Sequence, residues 1–156
     1  MGVEMRVTVR AATAADAEAL GSLRWRWVTE GGDDPGTERA AFVEFFAAWV
    51  GDRLPTHLAF LAEADGEAVA MAWLMVAERV PAPAQPVRRC GDVQSVYVVP
   101  ELRDSGVGAA LMEAVLARAR RLDLEHVTVH SSERAVSLYQ RAGFQHDRCW
   151  LSWQAE

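Results

Sequence analysis

The stretch Val96-Tyr97-Val98-Val99-Pro100-Glu101-Leu102-Arg103-Asp104-Ser105-Gly106-Val107-Gly108-Ala109-Ala110-Leu111-Met112 constrains this chain more than any other. An apolar, β-branched run passes through a short turn, with glycines at 106 and 108, into an amphipathic helix pattern. A strand that feeds a helix in this way is the unit of an α/β fold. At a helix start the first backbone N–H groups lack internal partners, and the peptide dipoles present positive charge. Because Gly106 and Gly108 carry no Cβ, an anion such as a phosphate can approach the amides of the turn. Two nucleotide readings fail on the letters. A phosphate-binding loop needs Gly-Lys-Ser/Thr, but alanines follow Gly108. A dinucleotide fingerprint needs a third glycine where Leu111 stands. At this stage a purely structural strand-to-helix turn remains open beside the anion site.

The rest of the chain alternates between strand and helix signals. Arg6 to Arg10 reads as a strand, and Thr13 with Asp16 caps a helix whose apolar positions include Leu20, Leu23 and Trp27. The segment Glu30-Gly31-Gly32-Asp33-Asp34-Pro35-Gly36 ends it. A second helix starts near Thr37, with Phe42, Phe45, Phe46, Trp49 and Val50 at helical spacing, read as a core stripe. Two strands, about Leu58 to Ala64 and Ala68 to Glu78, flank the hairpin turn Asp65-Gly66. The proline-rich stretch 81–86 is a surface loop leading to a strand from Asp92 to Val99. A helix from Gly106 to about Leu122, a strand from His126 to His130, a helix from about Ser132 to Ala142 and a closing strand around Cys149 to Trp153 complete the pattern. The order β-α-α-β-β-β-α-β-α-β predicts a mixed, mostly antiparallel central sheet covered by helices, in a single domain spanning residues 1–156.

Composition excludes several classes of function. A net charge of −6 argues against a nucleic-acid surface, which needs clustered basic side chains to displace phosphate counterions. All 16 basic residues are arginine, so no lysine is present for a Schiff base or a phosphate loop. Lys, Asn and Ile, all absent, share A/T-rich codons, which points to a GC-rich bacterial genome. No apolar run reaches the roughly 20 residues of a membrane span. Residues Met1 to Arg6 lack the apolar stretch of a secretory leader, so a cytoplasmic protein is expected. Cys90 and Cys149 are too isolated for a disulfide framework or a zinc knuckle and are expected in or near the core. No metal site is expected: His126 and His130, four apart on a strand, would stand about 13 Å from each other.

The turn at 103–108 resembles the GCN5-related N-acetyltransferase family pattern Arg/Gln-x-x-Gly-x-Gly/Ala, following a strand that ends in Val-x-Pro. Downstream, Ser132-Glu133-Arg134-Ala135-Val136-Ser137-Leu138-Tyr139-Gln140-Arg141-Ala142-Gly143-Phe144 is similar to the family's Asn-x-x-Ala-x-x-Leu-Tyr-x-x-x-Gly-Phe. The resemblance covers about residues 92–144; the N-terminal half matches only in its order of elements. It implies an acetyl-CoA-dependent N-acetyltransferase that moves an acetyl group to a primary amine of a small molecule or peptide and releases CoA. It further implies that the strand at Val96, Tyr97 and Val98 splays from its neighbour and pairs with the pantetheine arm, with the Val98 N–H offered to the thioester carbonyl. Arg103, Asp104, Ser105, Gly106, Val107, Gly108 and Ala109 would surround the pyrophosphate, Ser132 would take a cofactor contact, and Tyr139 would protonate the departing thiolate. Many relatives are dimers, so a homodimer is a further expectation.

The chain departs from the family pattern at informative places. Asp104 stands where glycine is common and Ser105 where a second basic residue is frequent, which shifts the expected phosphate contacts onto backbone amides. Thr128 occupies a position where relatives often carry a glutamate base. Asp92 and Gln94, expected on the same strand face as Val96 and Val98, could hold a relaying water; His130 titrates in the right range, and bulk solvent is the remaining alternative. The loop carrying Glu30, Asp33 and Asp34, with Trp25 nearby, is read as bordering the acceptor pocket, which would favour a cationic amine. A different class of function, an acyl-CoA-binding regulatory or inactive relative, stays open because the carboxylate base is missing.

Overall fold

A computed structural model of the chain describes residues 5–156. The first four residues, on which part of the leader reading rests, lie outside the described residues. Strand β1 (Val7–Ala11) leads through a single 3-10 turn (Ala14–Asp16) into helix α1 (Ala17–Glu30), followed by α2 (Arg39–Arg53). The capping box expected from Thr13 and Asp16 closes the 3-10 turn, with the Thr13 N–H donating to Asp16 Oδ2 at 2.8 Å. Strands β2 (His57–Ala64), β3 (Glu67–Arg79) and β4 (Arg88–Val98) then run up and down. Helix α3 (Val107–Arg121), the short β5 (Val127–Val129) and α4 (Val136–Arg141) complete the elements.

The sheet order is β1-β2-β3-β4-β5, antiparallel up to β4 and parallel between β4 and β5, because α3 is the crossover connecting them. This is the mixed, helix-covered sheet the alternating signals predict. Both arms of the β3–β4 hairpin are longer than the sequence signals indicate, running to Arg79 and starting at Arg88 around the 81–86 loop. Glu125 holds that extension, accepting from Arg88 Nε at 2.6 Å and pairing also with Arg79.

Apolar side chains fill both faces of the sheet. On one face Leu111, Met112, Val115 and Ala119 of α3 pack with Tyr139 of α4 on Phe60, Ala62, Ala72, Leu74 and Val93. On the other, Leu20 and Leu23 of α1 and Val50 of α2 pack on Ala59, Leu61, Met71, Trp73 and Tyr97. Gly21 permits the close crossing of α1 and α2, since a Cβ there would stand 3.3 Å from Phe46 Cδ1.

Three local expectations are corrected. No strand forms at Cys149 to Trp153. The chain turns at Asp147, whose Oδ1 accepts the Cys149 N–H at 2.7 Å, and Trp150 folds onto His126 with ring centroids 4.6 Å apart. Cys149 is consequently exposed rather than core, while Cys90 is half-buried. The stripe of α2 is core only in part: Val50 is fully buried and Phe46 and Trp49 pack half-buried against the core, but Phe42 is half-buried at its edge, Phe45 is 69% exposed, and Val43, outside the stripe, is the other buried residue. Val43 and Val50 lie seven apart and take the inward line, so the larger rings fall beside it.

Candidate active site

A bulge in β4 sets the geometry of the site. Opposite β3, Met71 pairs with Tyr97 but Trp73 pairs with Gln94, so two steps on β3 face three on β4. The extra residue is Ser95, held in the left-handed region at φ 52°. One added residue flips the alternation of side chains. Val93, Val96 and Val98 therefore all meet the α3 side, whereas Tyr97 and Val99 meet the α1–α2 side. Asp92 and Gln94, expected to share a face with Val96 and Val98, lie on the opposite one, the face of Tyr97. Gln94 Nε2 bridges to Asp92 Oδ2 at 3.1 Å, and Thr128 Oγ1 donates to Asp92 Oδ1 at 2.7 Å. No expectation from alternation alone could find this, since the bulge residue is a serine and not a glycine.

Beyond the bulge β4 has no ladder partner on its outer side among the described residues. The β4–β5 ladder covers only Gly91 to Val93, and the chain leaves β5 at Val129. The Val99 N–H donates to Val69 O at 3.0 Å, toward β3. Backbone groups of successive strand residues point to opposite sides, so the Val98 N–H and carbonyl face the splay. Arg103 Nε donates to that carbonyl at 3.0 Å, and the Val98 N–H lies beyond the end of the β4–β5 ladder.

At the far end of β4, Pro100–Leu102 forms a 3-10 turn and Gly106 caps α3 in the left-handed conformation, φ 88°. An ideal Cβ on Gly106 would meet nothing within 4 Å, so the space over the turn is open. The first intrahelical bond is Ala110 N–H to Gly106 O at 3.1 Å, which leaves the amides of Val107, Gly108 and Ala109 at the helix start without i−4 acceptors. Gly108 has a second reason to be small: its Cβ would touch Leu138 Cδ2 of α4 at 3.4 Å. Asp104 is also left-handed, φ 59°, and Ser105 Oγ donates back to Leu102 O, so both shape the turn itself.

Arg103 does not point freely from the turn. Its Nη2 donates to Glu30 Oε1 at 2.6 Å, while Tyr97 OH donates to Glu30 Oε2 at 2.6 Å. The Tyr97 hydrogen bond, reinforced by Arg103, holds the Glu30 carboxyl below its ordinary range. Burial, then the hydrogen bond to Glu30, pushes the Tyr97 phenol up to about 12. Glu30 thus ties the end of α1 to the end of β4. Asp33 is exposed, and Asp34 Oδ1 accepts the Gly36 N–H within the loop at 2.9 Å. Trp25 packs against Phe42 of α2 at 5.9 Å between centroids.

Tyr139 is buried, edge-on to Phe144 at 5.6 Å. Burial raises its phenol pKa and keeps it protonated at neutral pH. It lines a cleft of about 580 Å³ that runs along β5, together with Asp92, Thr128, His130 and Trp150. Tyr139 and Asp92, on opposite faces of the sheet, thus border one opening. His130 and Ser132 are exposed, and Ser132 makes no side-chain cap.

The acetyltransferase (GNAT) family matches residues 18–144 of the chain. The chain belongs to that family. Its fold agrees with other members of known structure. A predicted acetyltransferase from Clostridium acetobutylicum, solved with acetyl-CoA, superposes with a TM-score of 0.77 at 19% identity, covering 96% of both chains. A GCN5-related N-acetyltransferase from Ralstonia eutropha superposes at 0.74 with 27% identity, covering 96% of this chain and 99% of that one. Among curated proteins, the mycothiol acetyltransferase of Geodermatophilus obscurus is 32% identical over 113 residues, 70% of this chain and 31% of that protein. That of Propionibacterium freudenreichii is 31% identical over 93 residues, 58% of this chain and 28% of that protein. This GNAT chain thus matches less than a third of the length of those relatives. Among its described residues no helix is long and apolar enough to cross a membrane.

Proposed function

We propose that this GNAT chain is an acetyl-CoA-dependent N-acetyltransferase that acts on a primary amine of a small molecule or peptide, in a ternary complex and without an acyl-enzyme. The splay that opens at the Ser95 bulge, with the Val98 N–H turned into it, carries the reading. The residues present fit the cosubstrate: an open left-handed glycine cap and unpaired helix-start amides suit a pyrophosphate, and unpaired β4 backbone suits the amides of a pantetheine arm. Bound acetyl-CoA supplies an activated acetyl thioester.

The remaining chemistry belongs to the chain. Amides of Gly106 to Ala109 anchor the phosphates, and Arg103 acts on the turn by bracing Val98 and Glu30. The Val98 N–H donates to the carbonyl oxygen as negative charge develops there during amine attack. Tyr139, a buried phenol that is protonated at neutral pH, delivers its proton to the departing sulfur. Asp92, held by Gln94 and Thr128, positions a water that relays the proton lost by the amine to bulk solvent. His130 borders the opening, and the exposed Ser132 is free to take a cofactor contact. We place the protein in the bacterial cytoplasm, and the names of the curated relatives, matched over so small a part of their length, leave the acceptor to be identified on this chain's own residues.

Thiol release from acetyl-CoA over a panel of primary amines, with acetyl-CoA binding measured in parallel, tests the reading. Saturable, amine-dependent release is expected. Tight acetyl-CoA binding without turnover on any amine would instead support the regulatory reading, which the engagement of both Asp92 oxygens favours.

A further inference from the structure

On the α1–α2 side of the bulge lies a small pocket of about 60 Å³, lined by Arg24, Phe46, Trp49, His57, Trp73 and the bulge residues Gln94 and Ser95. Its walls are aromatic: Phe46 and Trp49 each meet Trp73 at 5.9 Å, and Trp49 meets His57 edge-on at 5.1 Å. Burial, then the neighbouring Arg53, pushes the His57 ring below its ordinary pKa and so favours its neutral form. The charge in the wall is the guanidinium of Arg24. It stacks 4.7 Å above Trp27, whose own ring stacks on Tyr97 at 5.7 Å, so its position is fixed from behind. No carboxylate pairs with Arg24 among the described residues, and the perturbation of its pKa is downward, from burial alone. A half-buried guanidinium without an anion is unfavourable, and it presents a planar fork of donors suited to a carboxylate.

We propose that the acceptor amine carries a carboxylate, or a similarly planar anion, that seats on Arg24 with an apolar or aromatic body along Phe46, Trp49 and Trp73. The proposal rests on the acetyltransferase reading and specifies its substrate class. Ser95 to Val98 spans about 10 Å of strand, so the amine nitrogen must stand several bonds from the carboxylate to reach the splay. The acidic loop does not compete for the role: Arg103 neutralises Glu30 while Tyr97 donates to it, Asp34 accepts the Gly36 N–H of its own turn, and neither these residues nor the exposed Asp33 line the pocket. The pocket therefore selects a charge opposite to the one the loop composition alone points to.

A matched set of amines tests this: 4-(aminomethyl)benzoate, 4-(aminomethyl)benzamide and benzylamine, scored by thiol release and, without acetyl-CoA turnover, by quenching of tryptophan fluorescence. The benzoate is expected to bind and to reach half-maximal rate at a concentration about 10- to 100-fold lower than the two amines that lack a carboxylate. In Arg24→Gln the ratio should collapse toward one, and Arg24→Lys should keep part of it. Equal or better use of benzylamine, or a benzoate preference that survives Arg24→Gln, would overturn the pocket assignment while leaving acetyl transfer standing. Arg24-dependent binding of the benzoate, with no thiol release from it or from any other amine of the panel, would sink the acetyltransferase reading instead and keep the anion site. If Arg24→Gln does not fold, the ratio across the three ligands in the unaltered protein still decides.

Discussion

Gly106→Ala separates the backbone role of the turn from its role toward a phosphate. Gly106 and Gly66 have nearly the same left-handed backbone, φ 88° and 83°, and a Cβ on either would meet nothing within 4 Å. Gly66 sits in the β2–β3 hairpin and serves as the control. A non-glycine residue in this conformation costs about 1–2 kcal/mol, of which about 0.4–1 kcal/mol is recovered through the less flexible unfolded chain. Both variants should therefore lose up to about 1.6 kcal/mol, a fall in Tm of at most roughly 6 °C for a chain of this size. CoA affinity should part them. The Gly106 Cβ would project into the open space over the turn and block at least one amide–phosphate hydrogen bond, worth about 1.5–3 kcal/mol because the acceptor is charged. Isothermal titration should then show Kd for CoA raised roughly 10- to 100-fold in Gly106→Ala and unchanged in Gly66→Ala. Equal Kd values in the two variants, beside equal losses of Tm, would refute the placement of the pyrophosphate at the start of α3.

Tyr139→Phe should keep CoA affinity but lower kcat by about 10²- to 10⁴-fold; an unchanged maximal rate across pH would remove Tyr139 from the acid role. Asp16 is held down to about 2 by Arg10 and by the Thr13 N–H. Its folded pKa lies below its ordinary value of 3.8, so its contribution is full above pH 4 and disappears as pH falls through 2. Asp16→Asn should therefore lower stability by about 1 kcal/mol at pH 7, after allowing for solvent screening, and melting curves of the two proteins should converge near pH 2. Gly91→Ala would bring a Cβ to 2.8 Å from Leu74 Cδ1 and 3.0 Å from Leu124 Cδ1, beside the β4–β5 ladder. Those methyl ends can shift, so chemical denaturation should show a loss near 1 kcal/mol, the low end for overpacking.

What could be read from the letters is what local chemistry determines. The strand-to-helix turn at Gly106 and the capping box at Thr13 appear where their residues place them, because each depends on neighbours within a few positions. The bulge at Ser95 does not announce itself: serine is not a left-handed signal, and only the mismatch between two paired strands shows that one residue is extra. It reversed the faces of Asp92 and Gln94. The segment around Cys149 has strand composition, yet a strand needs a ladder, and the turn at Asp147 with Trp150 on His126 takes the chain elsewhere. Arg103 fits a phosphate ligand by type and spacing, but Glu30, distant in sequence, claims its guanidinium. Aromatic residues of α2 have the period of a core face, and the pocket that leaves them half-open arises from elements the helix sequence cannot specify.

A crystal structure with CoA bound tests the central claim most directly. It should show pyrophosphate oxygens within hydrogen-bonding distance of the Gly106 to Ala109 amides, with Arg103 still on Glu30 and Val98. The sulfur should lie in the splay between the Val98 N–H and the Tyr139 hydroxyl. A pyrophosphate held by Arg103 after release from Glu30, or a sulfur away from both Val98 and Tyr139, would contradict the account.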